Sequence, residues 1–188
     1  MKNKIKWWEK TEEYKFIIDH IGYEDFICPL DGSHERAGDT LLSREDKFIL
    51  IEFKRDENYH ASEKIKFTNY SQAKQTLQNR DSAHFVVYGV ETMGNLSLEA
   101  CTYFSNRKKD LSSITQFGMP LNKFKSYIEE FVSFKEKGGT LSSGFSSVAV
   151  IQYSDDESKC MRFEEFSMKF DIDLEIDPPS IDGPSMSM

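Results

Sequence analysis

One stretch restricts the fold of this chain more than any other: FILIEFK, Phe48 to Lys54. Alternation along a strand sends Phe48, Leu50, Glu52 and Lys54 to one face and Ile49, Ile51 and Phe53 to the other. Both faces begin apolar, so the strand belongs in the middle of a sheet covered on both sides. TLLS, Thr40 to Ser43, precedes it across the tight turn RED, and the two form a β-hairpin. Glu52 and Lys54 then share a face whose earlier positions are core. Unpaired buried charge costs several kcal/mol, so these two side chains need partners, or a metal at a cleft.

The rest of the chain supplies the elements around that strand. Residues 7–21 read as a helix, with Trp7, Tyr14, Ile17, Ile18 and Ile21 at helical spacing and Gly22 where a helix would stop. Glu24 to Leu30 is a short strand ended by the turn-forming DGS. Ala61 to Leu77 is polar and helical, His84 to Val90 is an apolar strand, and Leu96 to Phe104 is a further one. A loop with Gly118 and Pro120 leads into an amphipathic helix, residues 121–137, that stops at Gly138-Gly139, and 146–153 is a last strand. The order αβββαβ followed by mixed elements predicts an α/β or α+β fold, a central mixed β-sheet flanked by helices.

Charge is unevenly placed. Residues 154–188 hold ten acids and three bases, which is −7 of the net −8, so the first 153 residues are close to neutral. The low whole-chain pI therefore does not argue against nucleic acid as a partner of the body. Two domains of character follow: a folded unit over 1–153, and an acidic C-terminal extension over 154–188. Within the extension, residues 160–170 read as a last helix packed on the core, and roughly the last ten residues as disordered. Phe163, Phe166, Phe170, Ile172, Leu174 and Ile176 are interleaved with its acids, a pattern suited to docking on a partner or competing with phosphate. Lys64, Lys66 and Lys74 are candidate nucleic-acid contacts, and Arg107, Lys108 and Lys109 form a second basic cluster; for either cluster taken alone a solvated face is the favoured reading.

No run approaches the ~18 apolar residues of a membrane span. The N-terminus lacks the pattern of a secretion signal. Cys28, Cys101 and Cys160 are odd in number and far apart, which gives neither a disulfide framework nor a zinc knuckle. The expectation is a soluble protein of a reducing cytoplasm.

Gly38-Asp39 opens the first strand of the hairpin, and the fold-back brings Asp39 beside the end of the second. Asp39, Glu52 and Lys54 therefore converge at one end of the sheet. A hard cation such as Mg2+ wants carboxylate oxygens and a backbone carbonyl while keeping waters. Asp39 and Glu52 would supply the carboxylates, and the carbonyl of Phe53 lies between Glu52 and Lys54. Lys54 would orient a water or offset charge in the transition state. An ordinary hairpin with a Glu-Lys pair at its end is the competing reading.

In these residues, Gly38-Asp39 and Glu52-Phe53-Lys54 within an αβββαβ order, the sequence resembles the PD-(D/E)XK nuclease superfamily, the restriction-endonuclease-like fold, over about residues 7–91. The usual proline before the aspartate is here Gly38. The resemblance implies that Asp39 and Glu52 bind Mg2+ or Mn2+ and that Lys54 assists phosphodiester hydrolysis. It implies an extra acid on the first helix. Glu13, on the flank of the apolar face of Tyr14, Ile17 and Ile21, is that candidate as a third metal ligand and catalytic residue, while Glu12 points away. It also suggests a glutamine or base on the next helix, with Gln72 and Lys74 as candidates and Tyr70 as packing. His34 reads as exposed, and His20, His60 and His84 lack metal spacing.

The function expected is a divalent-metal-dependent nuclease acting on DNA rather than RNA, in defence against foreign DNA or in repair. It would work as a homodimer or with a helicase or ATPase partner. The alternative is a non-catalytic binding protein on a nuclease-like scaffold whose acidic tail docks on a partner or mimics DNA.

Overall fold

The computed structural model describes residues 6–22, 25–30, 38–44, 47–135, 149–153 and 158–162. Expectations placed on His34, on the DGS turn, on Gly138-Gly139 and on residues 163–188, the acidic-aromatic tail included, lie outside the described residues. Among those described, no helix is long and apolar enough to cross a membrane.

Helix α1 (Glu9–His20) precedes a meander of β1 (Phe26–Pro29), β2 (Thr40–Arg44) and β3 (Lys47–Lys54). A 3-10 turn (Glu57–Tyr59), α2 (His60–Lys64) and α3 (Tyr70–Leu77) lead to β4 (His84–Thr92) and β5 (Asn95–Thr102). Then come the two-residue β6 (Lys108–Lys109), a 3-10 helix (Leu111–Phe117), the two-residue β7 (Met119–Pro120) and α4 (Leu121–Ser133). β8 (Ala149–Tyr153) and β9 (Ser158–Arg162) follow. The strands make one mixed sheet in the order β6-β5-β4-β3-β2-β1-β8-β9, with β7 pairing to the start of β3. The β3–β4 pair is parallel and every other pair is antiparallel.

β3 is the two-sided strand that its sequence demands. Phe48 and Leu50 enter one core with Tyr59, Phe67, Leu77 and Phe131, beneath α2, α3 and α4. Ile49, Ile51 and Phe53 enter the other with Phe16, Phe85 and Ile114, beneath α1 and the second 3-10 helix. The mixed sheet flanked by helices is thus the class expected.

Three local readings are corrected. Ala61 to Leu77 is not one helix: the Thr68 N–H donates to the Phe134 carbonyl at 3.0 Å, Phe67 bridges to Lys135, and Asn69 caps a fresh helix by accepting from the Gln72 N–H at 3.1 Å. The backbone bonds that α2 would need to continue are spent on the end of α4. The loop before Pro120 contains a 3-10 helix, started by the Asp110 carboxylate on the Ser112 N–H. Ser158–Arg162, where a helix from 160 was expected, pairs with β8 as a strand.

The buried face of α1 also differs. Tyr14 and Ile18 are exposed, while Glu12, Glu13 and Phe16 are buried. Ile17 and Ile21 of the expected stripe do pack against the second core, beside Phe16, which meets Phe53 edge-on at 5.6 Å. Glu12, expected to point away, is 0% exposed.

Candidate functional site

The hairpin register places the acids. Thr40 lies opposite Ile51, so Asp39, one residue earlier, comes level with Glu52. Gly38 is needed here: a Cβ on it would sit 3.0 Å from Leu50 Cδ1 and 3.2 Å from the Ile51 carbonyl oxygen. The backbone therefore passes close over β3, where a side chain would require Leu50 and the β3 backbone to give way by a few tenths of an ångström, which gives the glycine before Asp39 a steric reason. The Asp39 N–H donates to the Ile51 carbonyl at 3.0 Å, and the Asp39 carboxylate accepts from the Phe53 N–H at 2.5 Å. Alternation of the ladder turns the Phe53 carbonyl to the same side, past the end of β2.

Glu52 is 2% exposed and does not stand alone. Its Oε1 accepts from Lys54 Nζ at 2.7 Å and from Lys66 Nζ at 2.8 Å. The same two ammoniums reach Glu63 Oε1, at 3.2 Å from Lys54 and 2.7 Å from Lys66. Tyr103 donates its hydroxyl to the other Glu63 oxygen at 2.6 Å. Lys135, buried under the rings of Phe67, Tyr103 and Phe131, lies close enough to act on both carboxylates through its field. The result is a lattice of two buried carboxylates with the buried Lys54 and the more exposed Lys66, and a third lysine behind it.

These surroundings set the charges. Desolvation and then the neighbouring Glu52 carboxylate push Asp39 up to about 7, against the pull of Lys54. Desolvation would also raise Glu52, but Lys54, Lys66 and Lys135 together outweigh it and hold Glu52 down at about 2. Burial works against the Lys54 ammonium, yet Glu52, Glu63 and Asp39 more than compensate and raise it above its ordinary value. Lys135 goes the other way: desolvation lowers it, and no carboxylate is close enough to reverse that. In the absence of a further cation Asp39 is the member of the group that shares its charge with a proton near neutrality.

The other candidates scatter. Glu13 is buried but pairs with Lys10 at 2.7 Å, and no contact joins it to Glu52. The Lys10 ammonium in turn feels Asp39, so the start of α1 does border the site. Gln72 is exposed on α3 with its backbone amide in the Asn69 cap, and it touches neither acid. Of the three candidate lysines, Lys66 joins the carboxylates while Lys64 and Lys74 face away from them. Lys108 pairs with Glu99 at 3.0 Å, and Lys109 sits 4.1 Å from the centre of the Phe117 ring. His84 is buried, bonded to the Tyr127 hydroxyl at 2.8 Å and stacked on Tyr103.

Sequence reasoning missed Glu63, Lys66 as a Glu52 partner, and Tyr103. The one local signal was the i, i+3 spacing of Glu63 and Lys66.

Beside the cluster lies an open groove of about 640 Å3 between the start of α1, the end of β3 and the segment 57–62. Trp8, Lys10, Lys54, Arg55 and Tyr59 are among its walls, and Trp8 is 68% exposed. Lys54 is the member of the Asp39–Glu52–Lys54 set that lines it.

Among the described residues no group of three or more histidine, cysteine or acidic side chains is arranged to hold a metal. Mg2+ asks for less: it is commonly bound through one or two carboxylates and keeps its waters. Asp39, whose ionisation the Glu52 carboxylate opposes, and Glu52 itself, level with each other and beside the Phe53 backbone, fit that smaller requirement. No protein-family model, no curated protein and no solved structure matches this chain.

Proposed function

We propose that this chain is a divalent-metal-dependent nuclease of the PD-(D/E)XK type that hydrolyses phosphodiester bonds, of DNA in preference to RNA. The observation that carries the reading is the register itself. Asp39 at the head of β2 stands level with Glu52, its carboxylate on the Phe53 amide, while Lys54 lies 2.7 Å from Glu52 and faces a groove. The element order α1-β1-β2-β3-α-β4 around these residues supports the same reading.

Asp39, Glu52 and the Phe53 carbonyl would hold Mg2+ or Mn2+. When bound, such an ion supplies Lewis acidity at a phosphoryl oxygen and a more acidic water. The chain's own residues do the remaining work. Lys54, kept protonated by Glu52 and Glu63, puts a fixed positive charge at the wall of the groove, where negative charge accumulates on a phosphoryl group in transit. Lys66 and Tyr103 hold Glu63, and through it the Lys54 ammonium, so the charge is in place before substrate arrives. Trp8 at the groove's rim offers an exposed ring on which a base can stack. A cytoplasmic role in defence against foreign DNA or in repair, alone as a homodimer or with a helicase or ATPase, is the setting for such a module.

The test is incubation of pure protein with plasmid, linear duplex, single-stranded DNA and RNA, each with Mg2+, Mn2+ or chelator. Metal-dependent breakage of a DNA substrate is the expected result. No breakage with either metal leaves the binding-scaffold alternative, which a divalent-metal titration followed by thermal melting then separates: a metal site raises the melting temperature by mass action.

A further inference from the structure

A second groove lies on the far side of α2. It holds about 750 Å3 between α2, α3 and the turn after β5, and its walls include Lys64, Lys74, Tyr70, Asn69, Gln75 and Asn106. Among the described residues no carboxylate lines it, in a chain whose net charge is −8. Neither Lys64 nor Lys74 forms an ion pair among the described residues, and these are the two lysines on the wall of this groove. Two ammoniums with no ion pair among the described residues, at the walls of a concavity that no described carboxylate lines, favour an anion there.

The remaining lining says which anion. The Lys64 ammonium stands 5.7 Å from the centre of the half-buried Tyr70 ring, so a cation and an aromatic ring are offered together. Asn69 uses its side-chain oxygen to cap α3, and Asn106 turns its own oxygen to the Tyr59 hydroxyl at 3.5 Å. Both are left with amide donors. Cations for phosphates, an aromatic ring for a base and amides for base edges are the components of a single-strand site. The volume is that of a small cleft, within the ~300–1,000 Å3 of ligand sites, and too small to seat a duplex with its bases still stacked inside.

The groove is also tied to the carboxylate–lysine lattice. Tyr103 lines it and donates to Glu63, and α2 turns Lys64 toward the groove while Glu63 faces Lys54 and Lys66.

We infer that this second groove holds a short single strand of nucleic acid, with phosphates on Lys64 and Lys74 and a base against Tyr70, next to the proposed hydrolytic site. The choice of a polynucleotide over a free anion rests on the nuclease reading. The strand would pass α2 on its way to the groove lined by Lys54.

The experiment is fluorescence anisotropy of the full chain in chelator, where cleavage cannot occur, with labelled oligothymidylate, oligouridylate and a duplex of equal length. Single strands should bind at least about tenfold more tightly than the duplex. Lys64→Ala/Lys74→Ala should weaken single-strand binding about tenfold and reduce the slope of log affinity against log salt by about 1.4, at ~0.7 per phosphate contact. Tyr70→Phe should bind as wild type, and Tyr70→Ala should lose about tenfold. The exposed pair Lys47→Ala/Lys123→Ala, with the same charge change elsewhere, should bind as wild type. Equal affinity of the Lys64/Lys74 variant and wild type, duplex binding as tight as single-strand binding, or no binding at all would each overturn the inference. Displacement of the oligonucleotide by an equal concentration of thymidine monophosphate would assign the groove to a mononucleotide instead. Failure here with metal-dependent cleavage intact removes the subsite alone. Lysine-dependent binding without cleavage in any metal removes the nuclease reading and keeps the subsite.

Discussion

Glu52 and Glu12 are equally hidden from water, at 2% and 0% exposure, and they end in opposite states. Glu52 has two lysine ammoniums within 2.8 Å and is held at about 2. Glu12 sits over Gly89 of β4 with neither carboxylate oxygen in a well-formed hydrogen bond among the described residues, and desolvation, helped by the Glu9 charge, raises it to about 7 against the weaker pull of its own backbone, Trp7 and Arg55. The nearby Trp7 indole N–H is spent on the Arg55 carbonyl at 2.7 Å. Burial alone thus drives a carboxylate toward its neutral acid, and only paired cations reverse it. The first arrangement stores fixed charge that chemistry can use. The second costs stability once the group ionises.

The largest effect should come from breaking the paired side. Lys54→Ala leaves Lys66 as the one lysine in direct contact with Glu52 and Glu63, with Lys135 only behind them, and should destabilise the fold by about 3–5 kcal/mol in urea melts. An equally stable variant would mean that Lys66 suffices.

Next is the unpaired side. Glu12 has a folded-state value near 7 against an ordinary 4.5. Its penalty is therefore absent below about 4.5, grows as the pH rises, and is complete above about 7. Glu12→Gln should stabilise the protein by about 3 kcal/mol at mildly alkaline pH and change little in acid, as read from denaturant midpoints across pH. Glu52 has the opposite slope: its stabilisation is present above 4.5 and is lost as the pH falls toward 2. A Gln variant with the wild-type pH profile would show that Glu12 is paired in solution.

Gly89→Ala sharpens the same contact sterically. The added Cβ would collide with Trp7 Nε1 and lie 2.6 Å from Glu12 Oε1, and should cost about 1–3 kcal/mol in thermal melts. Combining it with Glu12→Ala should recover part of that loss, since residues in contact do not add independently. The smallest effect belongs to an exposed pair with good geometry: breaking Lys15–Asp19, at 2.7 Å, by Lys15→Ala should change stability by no more than a few tenths of a kcal/mol.

Those contrasts also explain what was legible in the sequence. The two-sided β3, the hairpin and the level placement of Asp39 with Glu52 follow from period-two alternation and a short turn, both local properties. The face of α1 was half legible: Ile17 and Ile21 do pack on the core, but Tyr14 and Ile18 are exposed and Glu12, placed outside, is buried over Gly89. The partners of Glu52 were only half visible. Lys54 is two residues away on the same strand face, but Lys66 arrives from fourteen residues on and Tyr103 reaches Glu63 across forty. Long-range pairs of this kind are fixed by the folded backbone and leave no spacing to read.

The central claim is that Asp39, Glu52 and Lys54 make a metal-dependent hydrolytic site, and the direct measurement is metal-dependent DNA cleavage by wild type, Asp39→Asn and Lys54→Met. Asp39→Asn leaves the lysine–glutamate pairs untouched, so its fold is a fair control for loss of activity alone. Wild type should cut with Mg2+ or Mn2+ and not in chelator, while both folded variants, checked by circular dichroism, leave the DNA whole. Wild type that never cuts, or an Asp39→Asn protein that cuts as fast as wild type, would contradict the account.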